Sequence, residues 1–242
     1  MSDATNPIEM IFKSGHSIFF INFAKELLKN YIMLKEIDNV VFDLGGVVLD
    51  IDRDACVRNL EAIGLPNAGS LLDLYRQQGI FLALEQGEIT AARFYDTLRK
   101  DSKNPGLTDT MLEEALCKFI IGLPVERLQA IRKIRQSGKS TFVLSNTNAI
   151  MYNSVIDSLF RQEGLAIGDY FDGIIASFAE KVCKPDPGIF RILLERYSLD
   201  PSRTLFIDDS EVNVNAAEKL NIKGHFLPKN TDFIESLLLK ES

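Results

Sequence analysis

The segment Val40-Val41-Phe42-Asp43-Leu44-Gly45-Gly46 decides the fold. A short apolar run that ends in an aspartate and two glycines is typical of a fully buried parallel strand followed by a tight turn. Similar apolar runs recur at 140–145, 173–176, 204–208 and 223–227, and helical patterns separate them. Strands that alternate with helices predict an α/β fold in which helices cover both faces of a parallel sheet.

Polar side chains follow three of these predicted strands, and a fourth polar segment precedes a predicted helix. In chain order the four segments are 40–46, 143–148, 184–187 and 205–210. Ligands of open parallel sheets bind beyond the carboxyl ends of the strands. We therefore expect Asp43, Ser145 and Asp208 to meet in one crevice, together with Lys184.

These residue types suit phosphoryl transfer. A carboxylate such as Asp43 can attack phosphorus and form an aspartyl-phosphate. Lys184 supplies positive charge, and aspartate oxygens are ligands that Mg²⁺ prefers. Ser145 and the backbone N–H of Asn146 can donate hydrogen bonds to the phosphoryl group. Each segment alone is typical of an ordinary cap or turn, so the prediction depends on all four occurring in this order.

Together the four segments resemble those of the haloacid dehalogenase-like (HAD) superfamily over about residues 37–242. The resemblance implies a Rossmann-like parallel-sheet core with an inserted helical-bundle cap. It also implies a phosphoric monoester hydrolase with Asp43 as its nucleophile. By the same resemblance Mg²⁺ is held by Asp43, the backbone carbonyl of Gly45 and Asp208, with Asp209 binding it directly or supporting its ligands.

The resemblance also assigns phosphate binding to Ser145, Asn146 and Lys184, and a supporting role to Asn213. Residues 42–52 and 144–148 look most like the subgroup that includes bacterial sugar-1-phosphate phosphatases. The implied substrate is a small phosphorylated metabolite, for example a hexose 1-phosphate.

Gly45 departs from the family pattern. Most phosphatases of this superfamily carry an aspartate at that position, where it protonates the leaving alcohol, a contribution of roughly 10²–10⁴-fold. Three hypotheses follow: the substrate has a good leaving group such as an anomeric oxygen, another group such as Asp50, Asp52 or a substrate hydroxyl substitutes, or turnover is slow. A tight turn alone would also explain Gly45 and Gly46.

The pattern divides the chain into three parts. We predict an N-terminal extension over 1–36 with a helix near 17–35, a catalytic core formed by 37–53 and 122–242, and a helical cap over 54–121. The extension is interpreted as a helix packed on the core, as a partly ordered tail or as a partner-binding helix. Within the cap we expect no strand, and helices near 54–63, 69–84, 90–100 and 108–121. We expect the loop at 86–88 and the first cap helix to face the site.

Composition excludes several other functions. The net charge is −7 and no long basic run occurs, which argues against nucleic acid or an anionic membrane as the partner. The three cysteines are far apart and lack CxxC spacing, so we expect reduced thiols rather than a zinc site. No apolar stretch reaches the roughly 18 residues of a membrane span, and we expect a cytoplasmic protein. Its oligomeric state is left open.

Two alternatives stay open. A dehalogenase-type hydrolase of the same superfamily is one, although its chemistry has no use for the acidic pair Asp208-Asp209. A phosphate-ligand-binding protein with weak or no turnover is the other, because Gly45 cannot act as an acid.

Overall fold

The structure is a computed structural model that describes residues 35–72, 77–228 and 231–233. Its strands are β1 (Asn39–Phe42), β2 (Asp50–Ile51), β3 (Ile120–Gly122), β4 (Ser140–Ser145), β5 (Gly173–Ala176), β6 (Thr204–Asp208) and β7 (Lys223–Phe226). The described α-helices are α1 (Arg53–Ala62), α2 (Ala68–Leu71), α3 (Gly79–Glu85), α4 (Ala91–Asp101), α5 (Asp109–Cys117), α6 (Val125–Gln136), α7 (Ala149–Met151), α8 (Asp157–Leu159), α9 (Ile167–Tyr170), α10 (Ser177–Glu180), α11 (Pro187–Arg196) and α12 (Glu211–Glu218). A π-helical turn (Tyr152–Ile156) joins α7 to α8.

The main sheet has five parallel strands in the order β5-β4-β1-β6-β7. Strand β1 lies at its centre, and Phe42 pairs with Val143 of β4 on one side and with Ile207 of β6 on the other. The chain therefore runs outward from β1 in both directions, and the position where it reverses lies beside β1. That is where ligands bind in open α/β sheets. The predicted α/β fold with a parallel, Rossmann-like sheet is confirmed.

The buried side chains of β1 explain its central position. Val40, Val41 and Phe42 have no exposed surface. Val40 and Phe42 pack in one hydrophobic cluster with Ile131 of α6, whereas Val41 packs in a second cluster with Phe190 of α11. Because successive strand side chains point to opposite faces, helices cover both faces of the sheet.

Helix starts follow their capping residues. The Thr90 side chain accepts a hydrogen bond from the backbone N–H of Arg93 at the start of α4. The Asp186 side chain accepts from the N–H of Gly188, and Pro187 occupies the first turn of α11. The start of α4 agrees with the helix predicted near 90–100, and α11 follows the segment 184–187 as predicted.

Two predictions for the segment between β1 and β4 are wrong. The single helix predicted over 69–84 is interrupted, since α2 ends at Leu71, α3 begins at Gly79, and 73–76 lie outside the described residues. The helix predicted over 108–121 ends at Cys117, because Ile120–Gly122 forms strand β3. Strand β3 pairs antiparallel with β2, which lies about 70 residues earlier in the chain, so no local pattern reveals it.

The ribbon formed by β2 and β3 stands where the inserted helices leave and rejoin the sheet. The Arg127 side chain of α6 donates to the carbonyl of Val48, to Asp50 Oδ1 and to Asp232 Oδ2 at 2.9–3.2 Å. This contact ties the exit point of the insertion to the rest of the core.

The helix predicted near 17–35 falls, apart from its last residue, outside the described residues. Within the described ranges, no helix combines the length and the apolar character needed to cross a membrane.

Candidate functional site

One lysine and two aspartates form a buried ionic cluster at the carboxyl ends of β1 and β6. Lys184 Nζ lies 2.8 Å from Asp43 Oδ1 and 2.7 Å from Asp208 Oδ2. The Lys184 side chain is 1% exposed and that of Asp208 is 0% exposed. The ammonium group also lies 5.4 Å from the centre of the Phe206 ring, a cation–π contact. The structure thus brings together three residues that the sequence placed in one crevice.

Asp208 is held by more than the lysine. Its Oδ1 accepts hydrogen bonds from the N–H of Ser210 at 2.8 Å and from Asn213 Nδ2 at 3.1 Å. Asn213 belongs to α12 and is itself buried. A buried carboxylate with this many donors has one fixed orientation, so Asn213 acts by positioning Asp208.

Burial and charge oppose each other in this cluster. Burial alone would lower the pKa of Lys184, but the carboxylates of Asp208 and Asp43 outweigh it and raise that pKa above its usual range. Burial raises the pKa of Asp43 to about 6, the Lys184 ammonium partly opposes the rise, and the nearby charge of Asp208 adds to it. The charged groups therefore depend on one another, and removing any one changes the protonation of the rest.

Asn146 fixes the loop that carries the lysine. Its side-chain Nδ2 donates to the carbonyl of Lys184 at 2.9 Å, and its Oδ1 accepts from the Lys184 N–H at 2.8 Å. The neighbouring Ser145 is buried at the end of β4 and lines the same pocket. The side chain of Asn146 therefore orients Lys184, a contact that the sequence did not predict.

A third aspartate completes an oxygen-rich site. Carboxylate oxygens of Asp43, Asp208 and Asp209 lie within 4.8 Å of one another. When all three are ionised, one ammonium group leaves two negative charges, which a divalent cation would balance. Burial, followed by the charges of Asp43 and Asp208, raises the pKa of Asp209 to about 7. Three hard oxygen donors with excess negative charge fit Mg²⁺.

Gly46 lets Asp209 approach the turn after β1. Its φ is +79°, and a Cβ at this position would lie 2.3 Å from Asp209 Oδ2. Both the left-handed backbone and the close carboxylate require glycine. Gly45 differs, because a Cβ there would meet only the Ile51 side chain at 3.6 Å or more. Nothing in the local packing excludes a side chain at position 45.

A pocket lies over this cluster, and two parts of the chain line it. Residues at the strand ends form its floor, including Asp43, Ser145, Lys184 and Asp209. The other wall comes from the inserted segment and consists of Leu72, Gln77, Phe81, Glu85, Phe119 and Ile120. The expectation that residues 86–88 and the first inserted helix face the site is wrong, since neither α1 nor that loop lines the pocket.

Glu85 is the pocket residue that sequence reasoning missed. It ends α3, and its half-buried carboxyl group faces the same cavity as Asp43. The one signal in the sequence was the neighbouring loop at 86–88, where helix α3 stops. Asp50 and Asp52, which the sequence offered as substitutes for the missing acid, do not line the pocket. Asp50 pairs with Arg127, and Asp52 accepts from the N–H of Ala55 as the N-cap of α1.

Known proteins match this chain over most of its length. A family model described as haloacid dehalogenase-like hydrolase matches residues 37–221. The D-ribitol-5-phosphate phosphatase of Bacteroides thetaiotaomicron is 35% identical over 194 residues, which are 80% of this chain and 93% of that protein.

Solved structures give the same result for the fold. A HAD family enzyme from Bacteroides thetaiotaomicron, crystallised with magnesium and inorganic phosphate, matches with a TM-score of 0.77 and 34% identity over 82% of this chain and 98% of its own. A predicted HAD-like hydrolase from Porphyromonas gingivalis matches with a TM-score of 0.77 and 31% identity over 86% of this chain and 100% of its own.

Proposed function

The chain belongs to the haloacid dehalogenase-like hydrolase family, and from that premise we propose that it hydrolyses small sugar or polyol phosphates through an aspartyl-phosphate on Asp43. Family membership confirms the hydrolase class that the four segments predicted. The protein is a phosphatase for phosphorylated small molecules and its cofactor is magnesium, in keeping with relatives that are named phosphatases or were crystallised with magnesium and phosphate.

The observation that supports this proposal most directly is the contact of Lys184 with both Asp43 and Asp208 on the floor of the pocket. A carboxylate approaches a phosphate dianion only if nearby positive charge offsets the repulsion. The buried ammonium group of Lys184 supplies that charge at the attacking atom. Asn213 and Asn146 hold Asp208 and the Lys184 backbone in place, so the arrangement exists before substrate binds.

We assign the residues as follows. Asp43 attacks phosphorus, its Oδ1 being oriented by the N–H of Leu44 at 2.7 Å and by Lys184. Lys184 and the hydroxyl of Ser145, together with the backbone N–H of Asn146, bind the phosphoryl oxygens.

Asp43, Asp208, Asp209 and the backbone carbonyl of Gly45 would hold Mg²⁺. When bound, the ion supplies the positive charge that balances the carboxylates and the phosphate. We also propose that residues 54–121 act as the cap that covers the bound substrate, since Phe81 and Glu85 of α3 line the pocket together with Asp43.

The substrate class follows from the pocket walls. Phe81, Phe119 and Ile120 enclose it with apolar surface, while Gln77 and Glu85 offer hydrogen-bonding groups. A small hydroxylated chain or ring bound to phosphate suits this mixture. A hexose 1-phosphate is one candidate substrate. An alditol phosphate is another, because the relative from Bacteroides thetaiotaomicron is a D-ribitol-5-phosphate phosphatase.

Release of inorganic phosphate from a panel of phosphorylated metabolites tests the proposal. The panel contains hexose 1-phosphates, hexose 6-phosphates and pentitol 5-phosphates, each with Mg²⁺ or with EDTA. We expect turnover that EDTA abolishes and that Asp43→Asn lowers by on the order of 10⁴-fold or more. Asp52→Asn is the matched control and keeps its activity, because Asp52 caps α1 outside the pocket.

Three outcomes would contradict the proposal. Turnover that survives both EDTA and Asp43→Asn rules out the metal-assisted aspartate. Binding of inorganic phosphate without turnover of any ester favours the ligand-binding alternative. Release of halide from 2-haloacids without EDTA sensitivity favours the dehalogenase alternative.

The same panel tests the leaving-group hypothesis for Gly45. A preference for 6-phosphates over 1-phosphates excludes the idea that Gly45 is tolerated because the leaving group is anomeric.

A further inference from the structure

We propose that Glu85 is the general acid–base residue of this enzyme and delivers from α3 the proton that Gly45 cannot. The inference rests on the proposed phosphatase function. Loss of an alcohol from phosphate leaves an alkoxide that needs a proton, and Gly45 has no side chain to give one. Within the described residues, the other carboxyl groups that line the pocket are Asp43 and Asp209, which belong to the metal-binding cluster.

The position of Glu85 suits the role. Its side chain lines the same cavity as Asp43, Ser145 and Lys184, but it belongs to the inserted segment rather than to the strand ends. A phosphate bound at Asp43 would have its leaving group directed away from the nucleophile, because attacking and departing oxygens lie in line in phosphoryl transfer. The part of the pocket lining that comes from the inserted segment contains one carboxyl group, that of Glu85, and we infer that the leaving group is directed to it.

Glu85 is also uncommitted. Across residues 35–72, 77–228 and 231–233, its carboxyl group makes no hydrogen bond and no ion pair, whereas Asp50 and Asp52 both have partners. Because Glu85 is only half-buried, its carboxyl group can stay without a protein partner and face the pocket. A group that must give up and regain a proton cannot be locked in a salt bridge.

The loop after α3 holds Glu85 in place. Gly87 has a φ of +59°, and a Cβ there would lie 2.0 Å from the carbonyl oxygen of Phe178 in α10. The inserted segment therefore packs directly against the core two residues after Glu85. The N–H of Gln86 donates to the carbonyl of Leu82, which ends α3 in a fixed turn. The carboxyl group is thereby presented to the pocket by a supported backbone.

Burial, followed by the charge of Asp43, favours the protonated form of Glu85. The groups that act on it are Asp43 after β1 and Lys184 before α11, and the Cys183 thiol lies close by. Burial raises the pKa of Glu85 to about 8, the charge of Asp43 adds to the rise, and Lys184 opposes it. Because the folded pKa lies above the ordinary glutamate value, the acid form predominates at neutral pH and is lost as the pH rises through about 8.

The two chemical steps balance. In the first, a carboxylate oxygen of Asp43 forms a bond to phosphorus, the bond from phosphorus to the alcohol oxygen breaks, and Glu85 gives its proton to that oxygen. In the second, Glu85 as carboxylate takes a proton from water, the water oxygen bonds to phosphorus, and the bond from phosphorus to Asp43 breaks. Alcohol and inorganic phosphate leave, and both residues return to their starting forms.

The test compares Glu85→Gln with wild type on two esters that differ in leaving group. D-ribitol 5-phosphate releases an alkoxide that needs a proton, whereas p-nitrophenyl phosphate releases a stable phenolate. We expect kcat/KM for the alkyl ester to fall by roughly 10²–10⁴-fold, and kcat/KM for the aryl ester to fall far less. With the aryl ester the variant should give a burst of nitrophenolate, because water attack on the phosphoenzyme becomes slow.

Glu88→Gln is the matched control, since Glu88 is exposed on the same loop and does not line the pocket. A second variant, Gly45→Asp in the Glu85→Gln background, should restore turnover of the alkyl ester, because the space at position 45 accepts a side chain. In wild type, kcat/KM for the alkyl ester should decline above pH about 8, and Glu85→Gln should remove that decline.

Equal losses on both esters, or no loss on either, would overturn the inference. So would a failure of Gly45→Asp to rescue a variant that folds normally by circular dichroism. These outcomes are distinct from a failure of the proposed function. In that case wild-type protein would release no phosphate with Mg²⁺, or its activity would survive Asp43→Asn.

Discussion

The charged groups on the strand-end floor of the pocket are paired with one another, whereas the carboxyl group on the wall formed by α3 is unpaired in the described part of the chain. On the floor, Lys184 contacts two carboxylates, and Asn213 holds one of them. On the wall, Glu85 has no hydrogen-bond or ion-pair partner within the described ranges of the chain. Paired charges fix geometry and suit binding, whereas an unpaired carboxyl group is free to change its protonation. The contrast supports the proposal that residues of the core attack phosphate and that the inserted segment supplies the proton.

The largest effect is expected from Lys184→Met, which removes the ammonium group from the ionic cluster on the pocket floor. Two buried carboxylates would lose their cation, and breaking a buried ionic cluster costs about 3–5 kcal/mol. We expect urea unfolding to show this loss at neutral pH and no detectable phosphatase activity. The loss should be smaller at pH about 5, below the raised pKa of about 6 of Asp43, where that carboxyl group is protonated. Mg²⁺ should restore part of the stability, because it supplies positive charge to the same carboxylates.

Lys223→Met is the matched control, since Lys223 pairs with Glu36 on an exposed surface. Its effect on unfolding should stay below about 1 kcal/mol, as for other surface pairs. A Lys184→Met protein as stable as this control would show that the cluster is not held together by charge.

Gly87→Ala should displace α3 on the wall of the pocket and leave the ionic cluster on its floor unchanged. The methyl group would meet the carbonyl of Phe178 and force the end of α3 away from α10. A displacement of about 1 Å near a reacting centre can lower the rate by roughly 10²-fold. We expect kcat/KM to fall by that order, while Mg²⁺ affinity measured by calorimetry stays as in wild type.

Gly79→Ala is the control for this variant, because a Cβ at Gly79 meets nothing within 4 Å although the backbone there is also left-handed. Equal losses in both variants would mean that backbone strain, rather than the contact with Phe178, controls activity.

A smaller effect is expected for Mg²⁺ binding as a function of pH. The pKa values of Asp43 and Asp209 are raised to about 6 and about 7, so part of the metal site holds protons at neutral pH. Metal binding requires the ionised forms and should release protons. The affinity should therefore weaken as the pH falls through this range, by up to about tenfold per unit for each carboxyl that must ionise.

Calorimetry in two buffers with different ionisation enthalpies measures the protons released. An affinity that is constant from pH about 5 to 8 would show that these carboxyls are already ionised without the metal, contrary to their raised pKa values.

Asp52→Ala gives the smallest expected change and tests which carboxyl groups lie outside the chemistry. Loss of the N-cap of α1 should cost about 0.5–2 kcal/mol of stability. Activity per folded molecule should stay unchanged on both alkyl and aryl esters. A selective loss on the alkyl ester would return Asp52 to consideration as the acid and weaken the assignment to Glu85.

More of the strand-end floor of the pocket than of its α3 wall could be predicted from the sequence. Asp43, Ser145 and Asp208 were predictable because parallel strands end at one edge, so residues that follow buried runs must meet there. The hydrogen bonds from the Asn146 side chain to the Lys184 backbone were not predictable, because they join two loops 38 residues apart. From the sequence alone, the same side chain could equally have bound phosphate. The β2–β3 ribbon was missed for the same reason, because its strands are too short to give a pattern and pair across the whole insertion.

The sequence by itself determined the α/β sheet, the residues at its strand ends and the absence of an acid at position 45. Each of these is a local property, given by residue type and by the period of buried positions. Only the tertiary structure decided which carboxyl group of the inserted segment lines the pocket together with Asp43. Glu85 is one of many charged residues between positions 54 and 121, and nothing in the local sequence separates it from Glu88. What separates them is the packing of Gly87 against Phe178, a contact between residues 91 positions apart that directs one carboxyl group into the pocket and leaves the other exposed.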